Sequence, residues 1–171
     1  ALVRVILTLH EARNEEVRHR TEAYRQAHTD DLTGLPNRRA LYLRCDRALM
    51  GASPTEPVSL LMLDLDGFKE INDALGHARG DALLVLAAGR IRSALSEEHL
   101  VARLGGDEFA VLLTGVDTGA AVDLAAAVRS ALTQPFVIED LSLHVDVSIG
   151  VVGAPTHAGT RVELLRYADI A

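Results

Sequence analysis

Two apolar runs, 99–104 and Glu108–Thr114, flank Gly105-Gly106, and this constrains the fold more than any other stretch of the chain. Short apolar segments joined by a tight glycine turn read as a β-hairpin, so at least part of the sheet must be antiparallel. Another apolar run, 58–63, stops at the acidic turn Asp64-Leu65-Asp66 and has the pattern of a strand buried on both faces. Helical spacing marks Arg38–Met50, Phe68–Leu75, 81–95 and Thr118–Leu132, and a last helix begins near Thr160. The segments 135–138 and 141–152 read as strands around a turn at Glu139-Asp140. Strands and helices interleave without strict alternation, and tight turns join several strands. This predicts an α+β fold with a mostly antiparallel sheet, in preference to a doubly wound parallel one.

The N-terminal part differs in character. Segment 11–28 carries four Glu and four Arg, with Glu16 and Arg20 four apart and Glu22 and Arg25 three apart, spacings that bring opposite charges together on a helix. It reads as a solvated connecting helix, and a coiled coil requires that 2–9 extend it. Residues 1–28 are therefore expected to form a linker or signalling helix, and 29–171 the main domain, which starts at the capping and turn residues 29–37.

Composition excludes several classes. With 171 residues, 49% of them hydrophobic, the chain can bury a core without a disulfide or metal staple. Its one cysteine, Cys45, fits a reducing cytosol, so a soluble cytoplasmic domain is expected. A net charge of −7, no basic cluster and no Trp argue against a nucleic acid polymer as partner. The longest apolar stretch, 82–88, falls far short of the roughly 20 residues that cross a bilayer.

The candidate chemistry lies in the acids. Asp64 and Asp66 follow a buried strand, and Asp107-Glu108 follows the glycine turn. A hairpin laid beside the strand ending at Asp64 would gather three or four carboxylates at one sheet edge, where mutual repulsion calls for a cation. Carboxylates and water suit Mg²⁺, and such sites serve phosphorylated substrates. Either cluster alone reads more readily as solvated turn residues than as a site. Gly105 and Gly106, however, leave the backbone bare beside Asp107, so that a bulky ligand can lie across the turn. Between the clusters, Lys69 is available for phosphates, while the Asn72 amide and Asp81 carboxylate suit a guanine edge. Asp81 as a helix N-cap and Asn72 as a surface residue are the plainer alternatives.

Three ordered motifs carry a resemblance. Asp31-x-x-Gly34-Leu35-x-Asn37-Arg38, Asp64-x-Asp66-x-Phe68-Lys69-x-x-Asn72-Asp73-x-x-Gly76-His77-x-x-Gly80-Asp81 and Gly105-Gly106-Asp107-Glu108-Phe109 resemble those of the GGDEF diguanylate cyclase family, over about 30–171. The resemblance implies a palm-like nucleotidyl cyclase fold, a central sheet flanked by helices, and condensation of two GTP into cyclic di-GMP and two pyrophosphates. It implies Mg²⁺ (or Mn²⁺) held by Asp64, the Leu65 carbonyl, Asp107 and Glu108, with Glu108 assisting at the metal or acting as base. Lys69 would meet phosphates. Asn72, His77 and Asp81, with Phe68, Gly105 and Gly106, would form the substrate pocket. A homodimer is implied, because one domain holds one GTP.

Two departures stand out. An Arg-x-x-Asp product-inhibition site of many family members is replaced here by Ser96-Glu97-Glu98-His99. The final Ala168-Asp169-Ile170-Ala171 stops before a Lys and an Arg that contact phosphates in the family. An upstream sensor or membrane domain is expected in the full-length protein. The ending also resembles GGDEF domains fused to an EAL phosphodiesterase, which keeps open a catalytically silent GTP-binding domain as the alternative.

Overall fold

The computed structural model describes residues 2–171, with side chains from residue 13 onward. In chain order the elements are α1 (Leu2–His28), α2 (Arg38–Met50), β1 (Val58–Leu65), α3 (Phe68–Leu75), α4 (His77–Ser93), β2 (Leu100–Gly105), β3 (Glu108–Thr114), α5 (Thr118–Leu132), β4 (Phe136–Ile138), β5 (Leu141–Leu143), β6 (Val147–Ala154) and α6 (Arg161–Ile170). Four strands form one sheet in the order β2-β3-β1-β6, with every neighbouring pair antiparallel. The α+β class expected from the hairpin is the class observed.

Alternation along β1 divides the core into two layers. Leu61, Leu63 and Leu65 pack with Phe109, Val111 and Leu113 of β3 against residues of α4 and α5, including Leu84, Ile91, Val128 and Leu132. Val58 and Leu60 point the other way, with Ala110 and Leu112, against Leu41 and Cys45 of α2 and Leu164 and Ala168 of α6. Each fully buried Leu or Phe contributes about 1.5–3 kcal/mol, so β1, buried on both faces, holds the backbone at Asp64 firmly in place. Burial pushes the Cys45 thiol up to about 12, which makes it an inert packing residue.

Helix starts follow local chemistry. Asn37 caps α2, Asp117 caps α5, and Thr160 with Glu163 forms a capping box on α6. Two boundaries differ from the sequence reading. Helix α4 begins at His77, four residues before Asp81, because Gly76 at φ 85° ends α3 and restarts the chain without a side-chain cap. Asp81 thus sits inside a helix and is not an N-cap. The expected strand 141–152 is two strands. β5 pairs with β4 in a separate ribbon, and β6 joins the main sheet. The break spans 144–146, and at its end the Asp146 side chain accepts the Val147 N–H at 2.8 Å, on the side of β6 that faces away from β1.

Helix α1 extends the expected 11–28 segment back to Leu2. The Glu22–Arg25 pair closes at 2.7 Å, whereas Glu16 and Arg20 form no ion pair. Val17 and Tyr24, seven residues apart, are both exposed. Among the described residues no helix is long and apolar enough to cross a membrane.

Candidate active site

Register brings the acids together. Asp64, near the end of β1, lies opposite Glu108 on β3 and opposite Ser148 on β6. The acids therefore meet where the central strands β1 and β3 adjoin, at the end of the sheet that carries the glycine turn. Partial enclosure, and then the charges of Asp107, Glu108, Asp66 and Asp169, push the Asp64 carboxyl above the ordinary carboxylate range. A cleft of about 600 Å³ opens here, lined by Asp64, Asp66, Glu108, Arg129, Ser148 and Asp169.

Each wall of the cleft has a local cause. Gly105 (φ 138°) and Gly106 (φ 54°) make the turn after β2, and a Cβ on either would meet open space, so the turn stands bare toward solvent. Arg103, mostly buried, ties the turn down: Nε and Nη2 donate to the Gly106 carbonyl at 3.0 and 2.8 Å, and Nη1 donates to both Asp30 oxygens at 3.1 Å. Burial works to raise Asp30, but bonds from Thr33 and Arg103 outweigh it and hold that carboxyl below its usual range. Arg38 reaches the turn from α2, its Nε donating to the Leu104 carbonyl and its Nη2 to Glu108 Oε2, both at 3.2 Å.

On the opposite wall Ser148 Oγ donates to Asp66 Oδ1 at 2.9 Å, and the Asp66 N–H donates to the Asp146 carbonyl at 3.0 Å. Arg129 of α5 grips both oxygens of Asp146 at 3.0–3.1 Å. Asp169 arrives because α6 lies directly on β6 at Gly150, where a Cβ would come within 2.0 Å of the Ala168 carbonyl oxygen.

Lys69, Asn72, His77 and Asp81 do not line this cleft. They sit on α3 and α4, which Gly76 connects. Lys69, His77 and Asp81 are exposed, and Phe68 is buried. Asn72 Oδ1 is buried with no hydrogen-bond partner, against Gly80, where a Cβ would come within 1.9 Å of it. Gly80, the residue before Asp81, thus brings α4 against the Asn72 side chain across the helix junction. The sequence reading gave no role to Arg38, Arg103, Ser148 or Asp169. Arg38 and Asp169 stood in quoted motifs, while Arg103 and Ser148 carry no signal short of the sheet register.

Among the described residues no three His, Cys, Asp or Glu side chains gather tightly enough to enclose a cation by themselves. Two carboxylates, a backbone carbonyl and open space for water and phosphate oxygens do match the open oxygen coordination of Mg²⁺.

Comparison with known proteins places this geometry. The family model described as diguanylate cyclase, GGDEF domain, matches residues 27–171. The chain is 48% identical over 149 residues to diguanylate cyclase TpbB of Pseudomonas aeruginosa, covering 85% of this chain and 34% of that protein. It is 38% identical over 145 residues to cyclic di-GMP phosphodiesterase PdeR of Escherichia coli, covering 85% of this chain and 22% of that protein. It thus spans about a third or less of the length of these relatives. The solved GGDEF domain of TpbB superposes with a TM-score of 0.80 at 46% identity, covering 84% of this chain and 85% of that one. The coiled coil and GGDEF domain of DgcB from Caulobacter crescentus, in complex with c-di-GMP, gives 0.86 at 27% identity, covering 100% and 92%. With motifs, strand register and a match over most of its length in agreement, the chain belongs to the GGDEF family of diguanylate cyclase domains.

Proposed function

We propose that this domain condenses two GTP into cyclic di-GMP with release of two pyrophosphates, each domain supplying half of the site in a homodimer. The observation that carries the reading is the strand-end cluster of Asp64, Asp107 and Glu108 beside an open glycine turn. Asp64, Asp107 and the Leu65 carbonyl hold Mg²⁺ (or Mn²⁺), with Glu108 at the cation or beside it as base. When bound, the cation lowers the pKa of a 3′-hydroxyl and offsets triphosphate charge.

The chain's own residues do the rest. Asp81 accepts guanine N1–H and N2–H, and Asn72 meets the same base with its orphaned amide. Phe68 supports this pocket from below and His77 lines it, while Lys69, at the start of α3, meets the phosphates. Gly105 and Gly106 let the nucleotide lie across the turn. In the facing arrangement the 3′-oxygen of one GTP attacks the α-phosphorus of the other, its proton passes to a carboxylate, and pyrophosphate leaves with the bonding electrons. Two such steps close the ring, which requires a two-fold arrangement of domains.

Helix α1 is the element we assign to pairing, since it is long, its described side chains from residue 13 onward are charged and largely exposed, and the DgcB structure with a coiled coil aligns over the whole chain. Asn37 Nδ2 donates to the carbonyls of Ala27 and Thr29 at the end of α1, so the helix is tied to the start of α2 and through Arg38 to the turn. The full-length protein is proposed to carry an upstream sensor or membrane domain and to act in the cytoplasm. A second reading, a silent GTP-binding domain governing a fused EAL phosphodiesterase, is favoured by the likeness to PdeR. Release of pyrophosphate from GTP in Mg²⁺, absent in EDTA and in Asp107→Asn, supports the cyclase; GTP bound without turnover supports the second reading.

A further inference from the structure

The acids of the cleft are not equivalent. Asp66 is engaged by Ser148, and Glu108 is engaged by Arg38. Asp64, Asp107 and Asp169 take no side-chain hydrogen bond or ion pair from the described residues. The strand ends therefore present some carboxylates already committed to protein partners and others that are free.

Arg38 is fixed well enough to impose that distinction. It is the first residue of α2, directly after the cap Asn37, whose amide bonds the end of α1. Its Nε is anchored on the Leu104 carbonyl just before the glycine turn, and its Nη2 faces Glu108. The pair is half exposed, with side chains 51% and 43% accessible. Such a pair adds little to stability, so its effect is on where Glu108 points and on the local charge.

Resting on the cyclase reading above, we propose that Arg38 is a positioning residue for the reaction: it holds Glu108 out of the cation's ligand set and leaves Asp64 and Asp107 as the carboxylates that take the cation. The guanidinium offsets part of the charge of Glu108 and directs that carboxylate back toward α2. Glu108 then stands beside the cation, free of direct coordination. With Arg38 removed, Glu108 becomes one more uncompensated acid at the strand ends. Bare cation binding gains from it while the reacting geometry loses.

The test is Mn²⁺ binding to the whole nucleotide-free chain, followed by electron paramagnetic resonance, alongside turnover of GTP. Arg38→Gln is expected to tighten Mn²⁺ binding by about two- to tenfold through the added net negative charge, and to lower turnover by about tenfold or more. A merely structural residue would lower both. Arg38→Lys, which keeps the charge but not the two-point fork, should keep Mn²⁺ affinity and recover part of the turnover. The Arg38→Gln, Glu108→Gln double variant removes the pair with no net change in charge, so its Mn²⁺ affinity should return to the parent value while turnover stays low. Loss of Mn²⁺ binding in the double variant would show that Glu108 is itself a ligand and would overturn the proposal. Unchanged or weaker Mn²⁺ binding in Arg38→Gln would overturn it as well. Asp64→Asn separates the two levels: if it binds Mn²⁺ as the parent does, the assignment of the site itself fails, whatever Arg38 does.

Discussion

Asp64→Asn should make the domain more stable and abolish its chemistry, and the size of the gain can be worked from the sheet register. Asp64 stands directly opposite Glu108, and partial burial first, then the charges of Asp107, Glu108, Asp66 and Asp169, raise its carboxyl. Directly opposed side chains begin about 5 Å apart, and two unit charges roughly 6 Å apart repel by about 0.7 kcal/mol in a water-like dielectric. Salt at physiological strength roughly halves this, and Arg38 offsets part of the Glu108 charge. Summed over the neighbours, removing the Asp64 charge should return about 1 kcal/mol, or about 2–4 °C in melting temperature for a domain of this size. The sign with pH follows from linkage. A carboxyl raised in the folded state costs stability when ionised, so the gain is fully present above its folded pKa and shrinks as pH falls into the carboxylate range. Calorimetric unfolding of both proteins in EDTA, from pH 7.5 downward, measures this, while turnover in Mg²⁺ should fall at least about a hundredfold. A variant no more stable than the parent at neutral pH, or a gain that does not change with pH, would refute the electrostatic reasoning.

Other perturbations address other parts of the molecule. Asp81→Ala should weaken GTP binding by about ten- to a hundredfold through lost charge-assisted hydrogen bonds and leave ATP binding unchanged, measured by calorimetric titration in Mg²⁺. Gly150→Ala puts a Cβ within 2.0 Å of the Ala168 carbonyl oxygen, so it should cost about 1–3 kcal/mol in chemical denaturation as α6 is pushed off the sheet. Added cyclic di-GMP should leave the initial rate within about twofold, because Ser96 offers no guanidinium and the His99 side chain is 7% exposed. Strong inhibition at low product concentration would reveal another binding surface.

The hairpin, the acidic strand end and the antiparallel class were legible because each depends on neighbours in sequence. The start of α4 was not, since Gly76 restarts the helix through its positive φ, which composition does not announce. The split of 141–152 was hidden for a related reason: Asp146 satisfies the Val147 N–H with its own side chain and binds Arg129 from another helix. The site was half visible. Asp64, Asp107 and Glu108 announce themselves as charges at turns, whereas Arg103 and Ser148 act only after β2, β3, β1 and β6 are laid side by side. Asp169 reaches the cleft only because Gly150 lets α6 settle on β6.

Cyclisation by paired half-sites is tested most directly by following one reaction: the chain with GTP and Mg²⁺ in dilute solution, products identified by mass spectrometry, and initial rate recorded against protein concentration. Paired half-sites should yield cyclic di-GMP and two pyrophosphates for each pair of GTP consumed, at a rate that rises roughly as the square of protein concentration and becomes linear once dimers saturate. GTP left intact, or converted to GDP and phosphate at a rate linear in protein throughout, would contradict cyclisation by paired half-sites.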